Sequence, residues 1–122
     1  MTSKILIIDD QPGIRMLLEE FLKSEGYETI SAKTGKQACE QVMEHHPDLI
    51  LMDYNLPVMS GGEVLKYLEH QQVNKPVFIM TGLSESSIEG DTNYSFVKHV
   101  ISKPFDIHQI RQMIADCLVS EY

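Results

Sequence analysis

The sequence predicts an α/β domain whose parallel sheet is covered by helices on both faces. Three observations carry that expectation. Short apolar runs alternate with segments of helical periodicity along the chain. The run Leu49–Met52 is apolar without a break, as in a strand buried on both sides. Several runs also stop at a polar residue followed closely by Pro or Gly.

The first run, Lys4–Ile8, ends at Asp9-Asp10 and reads as a strand. Pro12-Gly13 opens a helix whose Ile14, Leu17, Leu18, Phe21 and Leu22 form one stripe of a 3.6-residue period. Gly26 suits a left-handed C-terminal cap. Tyr27–Ala32 alternates weakly and reads as a second strand near an edge. Gly35 to His46 is helical in pattern, with Ala38, Val42 and Met43 inward, and Pro47 stops it. The strand that ends at Asp53 follows, then a loop marked by Pro57 and Gly61. Gly62–His70 is a short amphipathic helix, and Val77–Met80 a buried strand ending at Thr81-Gly82. Leu83–Tyr94 holds a short or irregular fourth helix, interrupted at Gly90-Asp91. Phe96–Ile101 is the fifth strand, ending at Ser102-Lys103-Pro104. Asp106–Val119 closes the chain as a helix with Ile107, Ile110, Ile114, Cys117 and Leu118 on one side. Five strands thus alternate with five helical segments, which implies right-handed crossovers and leaves the strand order open.

A chain of 122 residues fits one domain, residues 1–122, large enough to need no metal or disulfide staple. Its net charge of −8, from 10 basic and 18 acidic residues, argues against a nucleic-acid surface and favours cationic partners, a metal ion or a basic protein patch. No signal-peptide anatomy and no run of membrane-spanning length occur. Cys39 and Cys117 form no metal or redox motif and read as free thiols of a cytoplasmic protein.

The chemistry gathers at strand ends. Strands one, three, four and five end in Asp9-Asp10, Asp53, Thr81 and Lys103, and in a parallel sheet those ends share one edge, where open α/β sheets bind ligands. Singly, each has an ordinary explanation: a helix cap, a structural threonine, a solvated lysine. Together they fit phosphoryl chemistry. Clustered carboxylates repel unless a cation sits among them. Oxygen donors of this kind suit Mg²⁺ (or Mn²⁺), and a carboxylate can itself attack phosphorus. The glycine-rich loops that cradle nucleotides are absent. A hydrolase would need a general acid or base beside Asp53 and a cap domain against water, and the sequence offers neither.

Asp9-Asp10, Asp53 with Pro57 and Gly61, Thr81, and Lys103-Pro104 resemble the signature of the response-regulator receiver domain of two-component signalling, from residue 4 to about 119. Residues 9–15 and 103–107 are similar to single-domain regulators of sporulation-type phosphorelays. The resemblance implies a flavodoxin-like three-layer fold with strand order 2-1-3-4-5. It implies Asp53 as phosphoacceptor from a histidine kinase or histidine phosphotransferase, with Thr81 and Lys103 on the phosphoryl group. Asp10 and Asp53 would contact Mg²⁺ directly, Asp9 mainly through water, and Asn55 through its backbone carbonyl. A Lys103–Pro104 cis peptide and opposite-face cysteines, too far apart for a disulfide, are implied as well.

The chain departs from the family pattern after Thr81. Val100, with His99 beside it, stands where an aromatic switch residue is usual, Phe96-Val97 replaces a common Gly-Ala pair, and Gly82 replaces a small Ala or Ser. Two functions are therefore carried forward. One is a phosphoacceptor that signals through a downstream protein target, possible as a relay intermediate and not a turnover enzyme. The other is an interaction module of receiver fold that works without phosphate. For the first, the helix after Asp10 is expected to help dock the donor. Charge reversal at Arg15 would then slow transfer from a protein donor only.

Overall fold

The computed structural model describes residues 2–82, 88, 90 and 93–119. Its strands are β1 (Lys4–Ile8), β2 (Glu28–Ala32), β3 (Leu49–Asp53), β4 (Val77–Thr81) and β5 (Val97–Ser102). Its α-helices among the described residues are α1 (Pro12–Ser24), α2 (Gly35–His45), α3 (Gly61–His70) and α4 (Ile107–Val119). All pairings are parallel and the order is β2-β1-β3-β4-β5. The helical segment expected over Leu83–Tyr94 lies mostly outside the described residues. Ile88, the apolar residue at its centre, is buried.

Strand alternation divides the core into two layers. Leu6, Ile8, Ile50, Met52 and Ile79 face α2 and α3, packing on Ala38, Val42, Val64, Leu65 and Leu68. Ile5, Ile7, Leu49, Leu51, Phe78 and Met80 face α1 and α4, packing on Leu18, Leu22, Ile110 and Ile114. Every residue of β3 and β4 is buried, which is why those strands carry apolar runs without alternation. β2 and β5 lie at the edges and are partly exposed.

One irregularity sets the faces of β5. Val77 pairs with Val97, but Phe78 pairs with His99, so Lys98 is an extra residue in the ladder. The bulge turns Val97 and Val100 toward the α2–α3 layer and Ile101 toward the α1–α4 layer. His99 meets the edge of the Phe78 ring at a centroid distance of 4.8 Å.

Caps explain where the helices begin and end. Thr34 accepts a hydrogen bond from the Gln37 N–H at 3.0 Å, and Ser60 from the Glu63 N–H at 3.2 Å. Gly26 has φ 95°, and the Tyr27 N–H reaches back to the Leu22 carbonyl at 3.1 Å, closing α1 in a left-handed turn. Cys39 and Cys117 are not joined in a disulfide and lie on helices covering opposite faces. Burial pushes the Cys39 thiol up to about 11, which leaves it protonated and unreactive near neutrality.

The loop after β3 is pinned by its neighbours. Leu56 is buried, and Met59 packs on the α2–α3 layer. Between them, the Met59 N–H bonds the Pro57 carbonyl at 2.7 Å, and Val58 takes φ 67°. A β-branched residue is strained there. Val58 is 95% exposed, so its side chain recovers nothing by burial. Val58→Gly, which has no Cβ to strain in this i→i+2 turn, should stabilise the fold by about 1 kcal/mol. A rise in the urea midpoint at unchanged slope is the expected result; an unchanged or lower midpoint contradicts it.

Candidate functional site

The carboxyl ends of β1, β3, β4 and β5 meet at one edge of the sheet. Register brings them level: Ile8 pairs with Met52, Asp53 with Met80, and Thr81 with Ser102. The Tyr54 N–H donates to the Met80 carbonyl and the Lys103 N–H to the Thr81 carbonyl, each at 2.8 Å, so the strand ends are tied to one another just past the last ladder residues.

The acidic residues of this edge converge. Asp9, Asp10 and Asp53 each offer a carboxylate oxygen, and the three oxygens lie within 4.8 Å of one another. Asp9 and Asp53 are buried while Asp10 is exposed. Lys103 Nζ sits 3.1 Å from Asp53 Oδ1, which also accepts the Asn55 N–H at 3.2 Å. Thr81 is buried at the end of β4, beside Asp53 in the sheet order. The side chains of Asp9, Asp10, Asp53 and Lys103 are therefore brought together, with Thr81 at the end of the adjacent strand, and the Lys103–Pro104 peptide is cis.

Asp9 shows what this arrangement lacks. Its Oδ1 accepts the Gln11 N–H at 2.9 Å, so half of the carboxylate does cap the turn into α1. Its Oδ2 is buried without a hydrogen-bond partner. Burial raises the Asp9 pKa above its ordinary value; the Gln11 N–H opposes that rise, and the negative charge of Asp53 adds to it. A buried, partnerless carboxylate oxygen among three converging carboxylates fits a hard divalent cation with oxygen ligands.

Two features of the site were not read from the sequence. Arg15, in the first turn of α1, extends its guanidinium to the Asp9 carbonyl at 2.8 Å. Gly61 stands in the sequence as a loop marker and as part of the receiver signature, and the structure adds a packing reason: a Cβ there would lie 2.8 Å from the Tyr54 carbonyl oxygen. The loop leaving Asp53 thus passes against the start of α3, and the Gly61 N–H bonds that same carbonyl at 3.0 Å.

Residues 5–115 match the family described as the response regulator receiver domain. The chain belongs to that family. Among receivers, it is 43% identical over 115 residues to sporulation initiation phosphotransferase F of Bacillus subtilis, covering 93% of this chain and 92% of that protein. It is 33% identical over 120 residues to the polar-differentiation response regulator DivK of Brucella ovis, covering 97% and 98%. Of solved receivers, a Francisella response regulator domain superposes with a TM-score of 0.91 at 25% identity, covering 99% of this chain and 100% of that one. A CheY-like receiver from Methanospirillum hungatei has the same fold, with a TM-score of 0.91 at 24% identity over 98% and 96% of the two chains. This receiver is accordingly a signalling module related to a sporulation initiation phosphotransferase and to response regulators. None of its described helices is long and apolar enough to cross a membrane.

Where an aromatic switch residue is usual in receivers, Val100 packs partly buried against the α2–α3 layer. The aromatic rings near the start of β5 are instead Tyr94 and Phe96, stacked with centroids 5.2 Å apart.

Proposed function

We propose that Asp53 accepts a phosphoryl group from a phosphohistidine on a histidine kinase or histidine phosphotransferase, in a reaction that depends on Mg²⁺ or Mn²⁺. The observation that carries this reading is the Asp53 carboxylate, buried at the end of β3, in contact with Lys103 and grouped with Asp9 and Asp10. Asp9, Asp10, Asp53 and the Asn55 carbonyl would hold the cation, whose charge neutralises phosphoryl oxygens during transfer. A carboxylate oxygen of Asp53 forms the new O–P bond as the P–N bond to the donor imidazole breaks, and the imidazole leaves and takes up a proton. Lys103 stands beside Asp53 to pair with the transferred group, and Thr81 hydrogen-bonds it. Positioning and charge suffice for this chemistry, so the protein catalyses its own phosphorylation and slow dephosphorylation without turning over a separate substrate.

Residues 1–122 act in this reading as one cytoplasmic receiver domain that touches neither nucleic acid nor membrane. Its output is a change of surface recognised by a downstream protein target, and the likeness to a sporulation phosphotransferase supports a place within a phosphorelay. The donor approaches over α1 and the loop after β5. There Gln11, Ile14, Leu17, Lys103, Pro104 and Phe105 line a groove of about 260 Å³, and Met16 and Leu17 are exposed.

A second reading, an interaction module that works without phosphate, is favoured by Val100 alone, because the aromatic ring that commonly reports the phosphoryl group is missing at that position. One experiment separates the two. The chain is incubated with acetyl phosphate, with and without Mg²⁺, and its intact mass and peptide map are recorded. A single phosphoryl adduct on Asp53 that requires Mg²⁺ is expected. No adduct, together with no NMR change around Thr81 on adding beryllofluoride, leaves the second reading standing.

A further inference from the structure

Asp9 is held at three points. Its N–H donates to the Ala32 carbonyl at 3.0 Å, its Oδ1 accepts the Gln11 N–H at 2.9 Å, and its carbonyl accepts from Arg15 Nη1 at 2.8 Å. The first two bonds belong to the sheet edge and the turn. The third is of a different kind: a charged donor that reaches back across six residues to a backbone oxygen.

We propose that Arg15 is a positioning residue of the acidic site, which fixes the Asp9–Asp10 peptide and thereby the spacing of the carboxylates that would bind the cation. The inference rests on the cation-dependent reading above. The peptide unit is planar, so holding the Asp9 carbonyl also fixes the direction in which the chain enters Asp10. Asp10 is exposed and gains little from packing, so that direction is what aims its carboxylate at Asp9 and Asp53.

Helix energetics do not account for the arginine. The first turn of α1 contains no acidic residue, although the positive end of a helix dipole favours Asp or Glu there and disfavours a cation. Placement on a docking surface does not account for it either. Met16 and Leu17, which follow it, are 57% and 50% exposed, whereas Arg15 is half-buried and directs Nη1 inward to its own chain. Its effect is therefore expected on reactions that involve no protein donor.

The test uses the full chain with Arg15→Met, which keeps an unbranched apolar stem and removes the donor, and Arg15→Lys, which restores a donor on a long stem. Mn²⁺ affinity is measured by electron paramagnetic resonance of the free ion, and urea unfolding is followed in parallel. Arg15→Met should bind Mn²⁺ about tenfold more weakly than wild type, as when an outer partner of a metal ligand is lost, and Arg15→Lys should recover most of that affinity. Phosphorylation by acetyl phosphate should slow in Arg15→Met at limiting Mg²⁺ and recover at saturating Mg²⁺. A purely structural arginine would lower the urea midpoint and leave the Mn²⁺ affinity of the folded protein unchanged. A docking arginine would slow transfer from a phosphohistidine protein alone. Either outcome overturns the proposal while the cation-dependent reading stands. Wild-type protein that bound no Mn²⁺ would overturn both.

Discussion

Asp53→Asn is expected to take up no phosphoryl group from acetyl phosphate at any Mg²⁺ concentration, and none from a phosphohistidine protein. The loss should be complete rather than graded, because the substitution removes the nucleophile and not one of its helpers. Asparagine has nearly the shape of aspartate, and its carbonyl oxygen can still accept from the Asn55 N–H and from Lys103, the two contacts Asp53 Oδ1 makes. The fold should therefore survive. One of three converging carboxylates is also gone, which removes a charge that raises the Asp9 pKa. Intact mass after incubation measures the result. An adduct of undiminished yield in the variant would move the acceptor to another residue.

The second large effect is expected at Asp9, and it runs in opposite directions for stability and for metal response. Without a cation, wild type carries a buried carboxylate whose Oδ2 has no partner. Asp9→Asn removes that charge and should stabilise the metal-free protein at neutral pH by about 1–2 kcal/mol, the scale on which an unsatisfied buried polar group costs stability. The sign of the pH dependence follows from the raised pKa. The folded state holds the Asp9 proton more tightly than the unfolded chain does, so the favourable contribution is fully present below the unfolded value of about 4. It is lost as pH rises through the higher folded value. Metal-free wild type should thus lose stability relative to Asp9→Asn as pH climbs from about 4 toward neutrality. Mg²⁺ should reverse the loss in wild type, by about 2.7 kcal/mol at a hundredfold excess over its dissociation constant. The variant should respond far less. Urea midpoints across pH, with Mg²⁺ or with chelator, measure all of this. Equal Mg²⁺ stabilisation of both proteins would mean that Asp9 takes no part in holding the cation.

What the sequence disclosed follows from which forces are local. Leu49–Met52 announced a strand because burial on both faces demands an unbroken apolar run, and the strand-end polar residues were visible because each stops such a run. The juxtaposition of Asp9, Asp53, Thr81 and Lys103 was legible once strands were taken as parallel, since register then aligns their ends. The bulge at Lys98 was not, because an extra residue leaves the apolar pattern of Val97, Val100 and Ile101 intact while changing the faces they reach. Val58 was equally silent, as nothing in a valine side chain announces a positive φ; the turn is imposed by Leu56 and Met59, which are anchored on either side. Thr34 and Ser60 carry the chemistry of caps, and Ser60 followed by Glu63 is a local signal of a helix start. Arg15 reads in the sequence as a residue of the donor-docking helix; its bond to Asp9 is invisible there because the partner is a backbone oxygen, which has no letter in a sequence.

The loop that begins at Asp53 has a second attachment, at Gly35. A Cβ at that position would collide with the Met59 carbonyl oxygen and lie 2.8 Å from the Met59 Cβ. The absence of a single carbon atom at the start of α2 is what lets the loop after Asp53 pack against that helix. Position 35 is consequently a lever on the site from outside it: adding a methyl group there pushes on the Asp53 loop from behind while leaving every ionisable group in place. Geometry and charge at the strand ends can in this way be varied separately, which substitutions among the aspartates themselves do not permit.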